Sequence, residues 1–457
     1  MDVDALVVGA GVAGLAAARE LEARGVEVAL VEADDGPGGV MRSDTIRGHV
    51  LERGPNSLLL RAPFLAGLER FDVSRALVKA TPASRSRWLL RDGRLVPVPL
   101  GPLDLVRTPL LSGAGKRRLL REPFVPRGDG SGETVAEFVS RRLGGELVDA
   151  LVGPFLTGVY AGDERELGAE AVFPSLVDAE RESGSIVRGL IANARRARRA
   201  RRSGQEGRGR PGTFSTAGGL GQLSAALAGG LRHSPSYATR VVELSRDGTG
   251  FRVGLEQAGG SLEWRVRRIV IATPGRVASE LVARLDADAA GWIDSVRYAP
   301  IATVGLSASP GSLRRPAEGF GFLVPRGEAR GLLGCLFMSE LFPDRAPEGR
   351  GLLHCILGGT RAPETLELAD ADLIALATEQ LDAPLGVIGE LEALGVRRWP
   401  QAVAQPAPGH RAGLADARRR LERSGPIALA GSYTDGVSVA DSFASGLAAA
   451  ERIARPG

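Results

Sequence analysis

Cysteine is nearly absent from this 457-residue chain, which has only Cys335 and Cys355. That excludes a disulfide scaffold and any four-cysteine zinc site. Histidine is as scarce: His49, His233, His354 and His410 are scattered without ligand spacing, so no metal is expected. Lysine occurs twice, as Lys79 and Lys116, and arginine supplies the rest of the 58 basic residues. Charge of one sign is also small. The net +4 is too mild to argue for nucleic acid, and no nucleic-acid partner is expected. No apolar run reaches the roughly 18 to 20 residues that cross a bilayer. The start, with Asp2 and Asp4, lacks the basic region of a signal peptide. The expectation is a cytoplasmic protein, with peripheral contact to a membrane surface left open.

What is present is an ordinary globular composition, 44% hydrophobic and 25% charged, rich in glycine at 62 residues. The length suggests two or three domains. Ala5 to Val8 reads as a short buried strand. Gly9, Gly11 and Gly14 follow in the spacing G-x-G-x-x-G and open an Ala- and Leu-rich helix that should end near Gly25. Val26 to Val31 reads as the next strand, ending at Glu32, 18 residues after Gly14. This is a dinucleotide cradle. A Cβ would block the tight turn and hold the backbone off a pyrophosphate. The helix N-terminus offers N–H groups and a positive dipole end to the diphosphate. The Glu32 carboxylate can accept both ribose hydroxyls of an adenosine. Gly9, Ala10, Gly11, Val12, Ala13, Gly14 and Glu32 are the first set of cofactor-binding candidates.

A second glycine pair, Gly38-Gly39, precedes Val40 and lets backbone approach the diphosphate from the other side, which an NAD dehydrogenase does not need. Near the other end, Ile427 to Ala430 reads as a strand. It leads through Gly431 to Gly436 into Val437-Ser438-Val439 and a small-residue helix from about Asp441. The extended pattern resembles the large flavoprotein superfamily of amine oxidases, carotene desaturases and protoporphyrinogen oxidases. Further segments narrow the resemblance. Gly54-Pro55-Asn56-Ser57 looks like a family turn, and Gly158-Val159-Tyr160-Ala161-Gly162-Asp163 is similar to a family-specific block. Phe173-Pro174, Glu180 and Gly184-Ser185 follow at familiar distance, and later come Gly319 to Pro325 and Leu341 to Pro347. Over nearly its whole length the chain resembles the FAD-dependent protoporphyrinogen oxidase family of the oxygen-dependent bacterial type. Many amine oxidases carry Arg where Val40 stands and a lysine in the C-terminal half; no lysine occurs here after Lys116.

The resemblance implies an α/β (α+β composite) fold: a Rossmann-like FAD-binding domain, a mixed-sheet substrate domain and an inserted helical domain. It implies FAD as cofactor and removal of six electrons from protoporphyrinogen IX in three FAD/O2 cycles giving H2O2, in haem biosynthesis. The partners expected are the porphyrinogen, O2, an anionic membrane surface and the next enzyme of the haem pathway. Arg87, just before Trp88, matches the arginine that binds a propionate, and its planar fork suits a carboxylate. Thr157, Gly158 and Ala161 would line the pocket, with Val304, Gly305 and Leu306 as another wall and Phe337 packing on the ring. Gly54, Pro55, Asn56, Ser57, Val241, Ser432, Val437, Ser438 and Val439 join Gly38, Gly39 and Val40 as cofactor contacts. No residue stands out as a general base; the flavin carries the chemistry. Three alternatives stay open. They are coproporphyrinogen III, whose four propionates ask for more cations than the one clear arginine here; a flavin amine oxidase or carotenoid desaturase; and a non-catalytic flavin- or porphyrin-binding protein.

The expected domains are 1-85, 213-285 and 425-457 for FAD, 86-99 and 286-424 for substrate, and a helical, membrane-associating 100-212. Trp88-Leu89-Leu90, Asp92-Gly93 and Leu95-Val96-Pro97 predict a hairpin. Thr134 and Glu137 predict a capping box. Residues 203 to 212 read as a linker. Residues 285 to 424 read as alternating strands with one helix. Six arginines between 195 and 202 suit a solvated helix face or contact with acidic lipid. Cys335, Cys355 and His354 are expected buried, and His410 in a surface turn.

Overall fold

The computed structural model describes residues 2–128, 132–202 and 210–454, and two sheets organise them. In the first, the strands Asp2–Val8, Val28–Val31 and Ile427–Leu429 run parallel with the long strand Gly260–Ile271 at its centre. Buried on both faces, Asp2–Val8 needs the near-continuous apolar run it has. The antiparallel strands Arg240–Asp247 and Gly250–Gln257 extend this sheet along the first half of Gly260–Ile271. The helix Val12–Ala23 covers one face, and the C-terminal helix Val439–Ala454 packs on that helix. The packing is close: a Cβ on Gly446 would sit 2.0 Å from the Ala13 carbonyl oxygen. The two ends of the chain therefore share one core, in which Ala13, Ala16, Phe443 and Ala450 are all buried.

The second sheet has the order Leu391–Gln405, Arg297–Ala308, Gly351–Gly358, Leu332–Phe337, Gly321–Leu323, Trp88–Arg91, Arg94–Pro97. The hairpin forms as its turn chemistry demands, with Leu90 opposite Leu95 and both Asp92 and Gly93 at positive φ. The helix Asp370–Leu385 covers one face, burying Leu373, Ala377, Leu381 and Leu385 against it. Helices of three to 17 residues make up most of the described part of 102 to 202. The capping box is present: the Thr134 hydroxyl accepts from the Glu137 amide and the Glu137 carboxylate from the Thr134 amide. Part of the expected linker, 203–209, lies outside the described residues.

Two expectations need correction. Between 285 and 424 there are four α-helices rather than one: Ala287–Asp294, Met338–Leu341, Asp370–Leu385 and His410–Arg423. Local signals set two of them, since Asp286 caps the first and Gly409 in the left-handed region opens the last. His410 is buried, not in a surface turn, because the helix it begins packs against the first sheet's core through Ala417 and Leu421. Cys335 and Cys355 sit opposite each other on paired strands, both buried, with Sγ atoms 3.7 Å apart. Burial pushes the Cys335 thiol well above its ordinary value, so it stays protonated and inert. No helix among the described residues is long and apolar enough to cross a membrane.

Candidate functional site

The three N-terminal glycines have distinct geometries. Gly9, at φ +100°, leaves no room for a Cβ, which would meet the Ala272 carbonyl oxygen at 2.7 Å. A Cβ on Gly14 would lie 1.8 Å from the Gly9 oxygen, so this position sets the close approach of helix to strand. Gly11 has nothing within 4 Å in the Cβ direction. It is the N-cap of Val12–Ala23, and no side chain caps that helix. The first-turn amides of Val12, Ala13 and Gly14 therefore face a space open to a ligand.

The rest of the cradle closes around that space. The Glu32 carboxylate accepts the Ala10 amide at 2.5 Å and the Asp34 amide at 2.9 Å, which fixes it at the strand end with lone pairs to spare. Gly38 donates its amide to the Ala10 carbonyl at 2.8 Å, bringing the second glycine pair and Val40 against the first. Gly54 lies under Val40, whose carbonyl oxygen a Cβ would approach to 2.6 Å. Beyond Pro55, the Asn56 side-chain oxygen is buried without a partner, as is the Thr273 hydroxyl at the end of the central strand. Ser57 precedes the short strand Leu58–Leu59. Val241 is buried on the strand that follows Thr239, whose amide bonds the Glu32 carbonyl at 2.8 Å. Ser432 and Val437 belong to the loop before the C-terminal helix. Ser438 caps that helix by accepting the Asp441 amide at 3.1 Å, and Val439 is its first residue. Orphaned polar atoms beside uncapped helix amides fit a phosphate-bearing, hydrogen-bonding cofactor.

Against the second sheet packs the helix Gly153–Tyr160, the wall helix, entered through a π-turn at Val148–Val152. Thr157 is buried and donates its hydroxyl to the Gly153 carbonyl at 3.0 Å. Gly158 lies against the second sheet, where a Cβ would be 2.5 Å from Leu323 Cδ2. Ala161 ends the helix in the left-handed region, φ +48°, a conformation an alanine adopts at a cost. Its carbonyl accepts the Thr360 amide at 2.9 Å, and its methyl packs with Ala299, Leu333 and Ile356.

Alternation along the strands redraws the opposite wall. Val304, Leu306 and Phe337 point to the helix Asp370–Leu385 and are plain core, 0%, 0% and 1% exposed. Only Gly305 of that set is on the other face, under Leu51, whose Cδ2 a Cβ would meet at 2.2 Å. The residues that share the wall helix's face are Thr303, Leu323, Leu336 and Ile356, set by the pairings Thr303–Ile356, Gly305–His354 and Leu323–Gly334. Leu323, Leu336 and Ile356 are half-buried and apolar. Sequence reasoning missed them because a one-residue shift exchanges the two faces of a strand.

Arg87 stands at the edge of this face. The Ser86 carbonyl accepts the Phe320 amide at 2.7 Å, and the Trp88 indole donates to the Glu318 carbonyl at 2.8 Å. Between them the guanidinium lies 4.6 Å from the centre of the Phe320 ring, which itself packs beside Leu336. No carboxylate among the described residues pairs with it. Loss of water lowers its pKa from the ordinary arginine value, a shift an arriving carboxylate would oppose. A buried ion pair, Glu52 with Arg345 at 2.9 Å, joins the strand His49–Glu52 to the turn Pro343–Arg345. Burial raises the Glu52 pKa, opposed by Arg345 and the Ser43 hydroxyl. His354, on the site face, is buried with its Nε2 unpartnered, and desolvation pushes its pKa down to about 4.

Residues 12–454 match the family described as flavin containing amine oxidoreductase. Tobacco chloroplast protoporphyrinogen oxidase is 31% identical over 96% of this chain and 83% of its own length. The human protoporphyrinogen oxidase is 31% identical over 97% of each chain. This chain belongs to that family, in its protoporphyrinogen oxidase branch. The coproporphyrinogen III oxidase of Bacillus subtilis (strain 168) is 28% identical over 97% of this chain and 96% of its own. A solved structure from Exiguobacterium sp. 255-15 matches 99% of the chain with a TM-score of 0.81 at 23% identity, a likeness of fold. As a member of the family, the protein is a flavin-dependent oxidoreductase.

Proposed function

We propose that this flavoenzyme binds FAD and oxidises protoporphyrinogen IX to protoporphyrin IX, with O2 as acceptor. The domains expected from the sequence carry these tasks. FAD rather than a mononucleotide is supported by Glu32, whose carboxylate is held at the strand end by two backbone amides with lone pairs left for an adenosine ribose. In this reading Gly9 to Gly14 and Gly38 to Val40 grip the diphosphate. Gly54 to Ser57, Val241 and the residues Ser432 and Val437 to Val439 hold the ends of the cofactor. When bound, the flavin supplies the acceptor for hydride from the substrate and passes electrons to O2. The chain's own residues bind and orient the substrate and exclude water.

One observation carries the substrate assignment: Arg87, a cation with no carboxylate partner among the described residues, at the rim of a mostly apolar face. A porphyrinogen is a greasy macrocycle edged with carboxylates, and that combination matches it. Arg87 takes a propionate, Thr157, Gly158 and Ala161 bound one side of the ring, and Phe320, Leu323, Leu336 and Ile356 bound the other. Coproporphyrinogen III is the second reading, favoured by the Bacillus relative, which this chain matches nearly end to end. Anaerobic addition of protoporphyrinogen IX should bleach the yellow protein. Aerobic turnover, read by porphyrin fluorescence, should be faster than with coproporphyrinogen III. The reverse ratio selects the second reading, and inertness to both overturns the proposal.

Peripheral membrane contact is proposed for the helical segment. Leu120 and Phe124 are 76% and 81% exposed, and Leu190 and Ile191 lie open on the arginine-bearing helix Ile186–Arg202. Sedimentation with anionic vesicles that high salt does not reduce would remove the electrostatic part of this reading.

A further inference from the structure

His410 is a buried histidine whose ring meets the loop backbone at Tyr433 and Thr434. Its Nε2 lies 3.1 Å from the carbonyl of Thr434. A carbonyl can only accept, so Nε2 carries the proton and donates it. The ring packs beside Trp292, with centroids 5.3 Å apart, which sets its plane. Two turns along the same helix, Arg418 grips the next residue of the loop, Asp435, through two hydrogen bonds of 3.1 and 2.6 Å. One helix therefore holds two successive loop residues, one by a backbone oxygen and one by a side chain.

The loop itself has little freedom left. The Thr434 hydroxyl donates to the Gly431 carbonyl at 2.7 Å, and the Gly431 amide donates to Ser445 Oγ at 2.9 Å. From Gly436 the chain passes directly to Ser438 and the N-terminus of the C-terminal helix, which packs against the glycine-turn helix. Five residues before His410, Gln405 donates its side-chain amide to the carbonyl of Tyr160, the last residue of the wall helix, at 2.8 Å. Between them, the Pro406 carbonyl accepts the Gly168 amide at 2.8 Å. The stretch from Gln405 to His410 thus touches the substrate wall at one end and the cofactor-facing loop at the other.

We propose that His410 is a positioning residue for the flavin. Its Nε2–H fixes the Thr434 carbonyl and so places the Ser432 to Val439 segment against the cofactor. Through Gln405, the same strap sets the spacing between that segment and the wall helix. The inference rests on the reading that Ser432 to Val439 face the flavin; it does not depend on which porphyrinogen is the substrate.

The test uses the full chain with added FAD and no porphyrinogen. His410→Phe keeps an aromatic ring beside Trp292 and removes the donor. His410→Gln keeps a side-chain N–H of similar reach. His410→Asn keeps polarity but is too short to span the gap. The expected result is FAD binding weakened on the order of tenfold in His410→Phe and His410→Asn, with a displaced visible flavin band. His410→Gln should recover most of the affinity and the wild-type band. If His410→Phe does not fold, the contrast between His410→Asn and His410→Gln decides. Unchanged affinity and spectrum in the folded donor-less variants overturn the proposal. So does equal weakening in His410→Gln, which would make ring packing the cause. If the wild-type protein itself binds no FAD, the cofactor reading fails, a result distinct from either.

Discussion

The cofactor cradle and the substrate wall are built by different means. In the cradle the open hydrogen-bonding groups are backbone amides, and side chains matter mostly by being absent. Gly9, Gly11 and Gly14 serve a turn, an open approach and a close helix contact, and each role follows from the position in one short stretch of chain. In the wall, on the reading proposed above, side chains would do the binding, drawn from the wall helix and from several separate strands. Leu336 counts there and Phe337 does not, although they are neighbours in sequence. A backbone site is therefore set by local spacing, whereas a side-chain site is set by register between segments far apart in the chain.

The contrast is tested most severely inside the cradle. Gly14→Val puts a Cβ into the Gly9 carbonyl and should abolish both FAD binding and native stability, read by flavin retention and thermal unfolding. Gly11→Ala has room for its methyl in the absence of ligand, so the unfolding temperature should hold while FAD affinity falls by about 100-fold. Loss of stability in Gly11→Ala would erase the distinction between the two glycines.

In the wall, the two faces of the sheet should separate stability from binding. Leu306→Ala opens a cavity in the core and should cost about 4 kcal/mol with KM unchanged. Leu336→Ala, half-buried on the site face, should cost about 1 kcal/mol and raise KM. Equal KM values for both would return the wall to the Val304 and Leu306 face.

The same face carries a pH signature. His354 stays neutral in the folded protein down to about 4, against 6.5 for a free histidine. The unfolded chain therefore binds more protons between those values, and stability falls with falling pH. The contribution is complete above pH 6.5 and lost as pH drops toward 4, about 3 kcal/mol in all. His354→Leu should flatten that part of the unfolding profile, and an unaltered slope would contradict the burial-driven shift. At the rim the expected effect is on binding alone. Arg87→Ala should raise KM on the order of tenfold and change kcat little, because the lost contact binds substrate and transition state alike. An unchanged KM would remove Arg87 from the site.

How much of this was legible depended on the same division. The dinucleotide turn, Glu32, the Asp92-Gly93 hairpin and the Thr134–Glu137 capping box were all readable, because each is complete within about twenty residues. Leu323, Leu336 and Ile356 were not, because no local pattern tells which face of a buried strand meets a ligand. The site face does carry Thr303, Ser307 and His354, but spread over two strands among apolar neighbours they give no clear alternation to read. His410 was misplaced for a related reason. Pro408-Gly409 resembles an exposed turn, and only the partner helix and loop bury the histidine next to it.

Residue order alone established a two-ended nucleotide fold, its glycine geometry and its kinship, since hydrogen-bonded turns and helix starts depend on near neighbours. The three-dimensional packing chose which apolar side chains share the wall helix's face, left Arg87 without a carboxylate partner among the described residues and strapped Thr434 to His410. Those outcomes depend on contacts between segments tens to hundreds of residues apart, whose register no short window of sequence encodes.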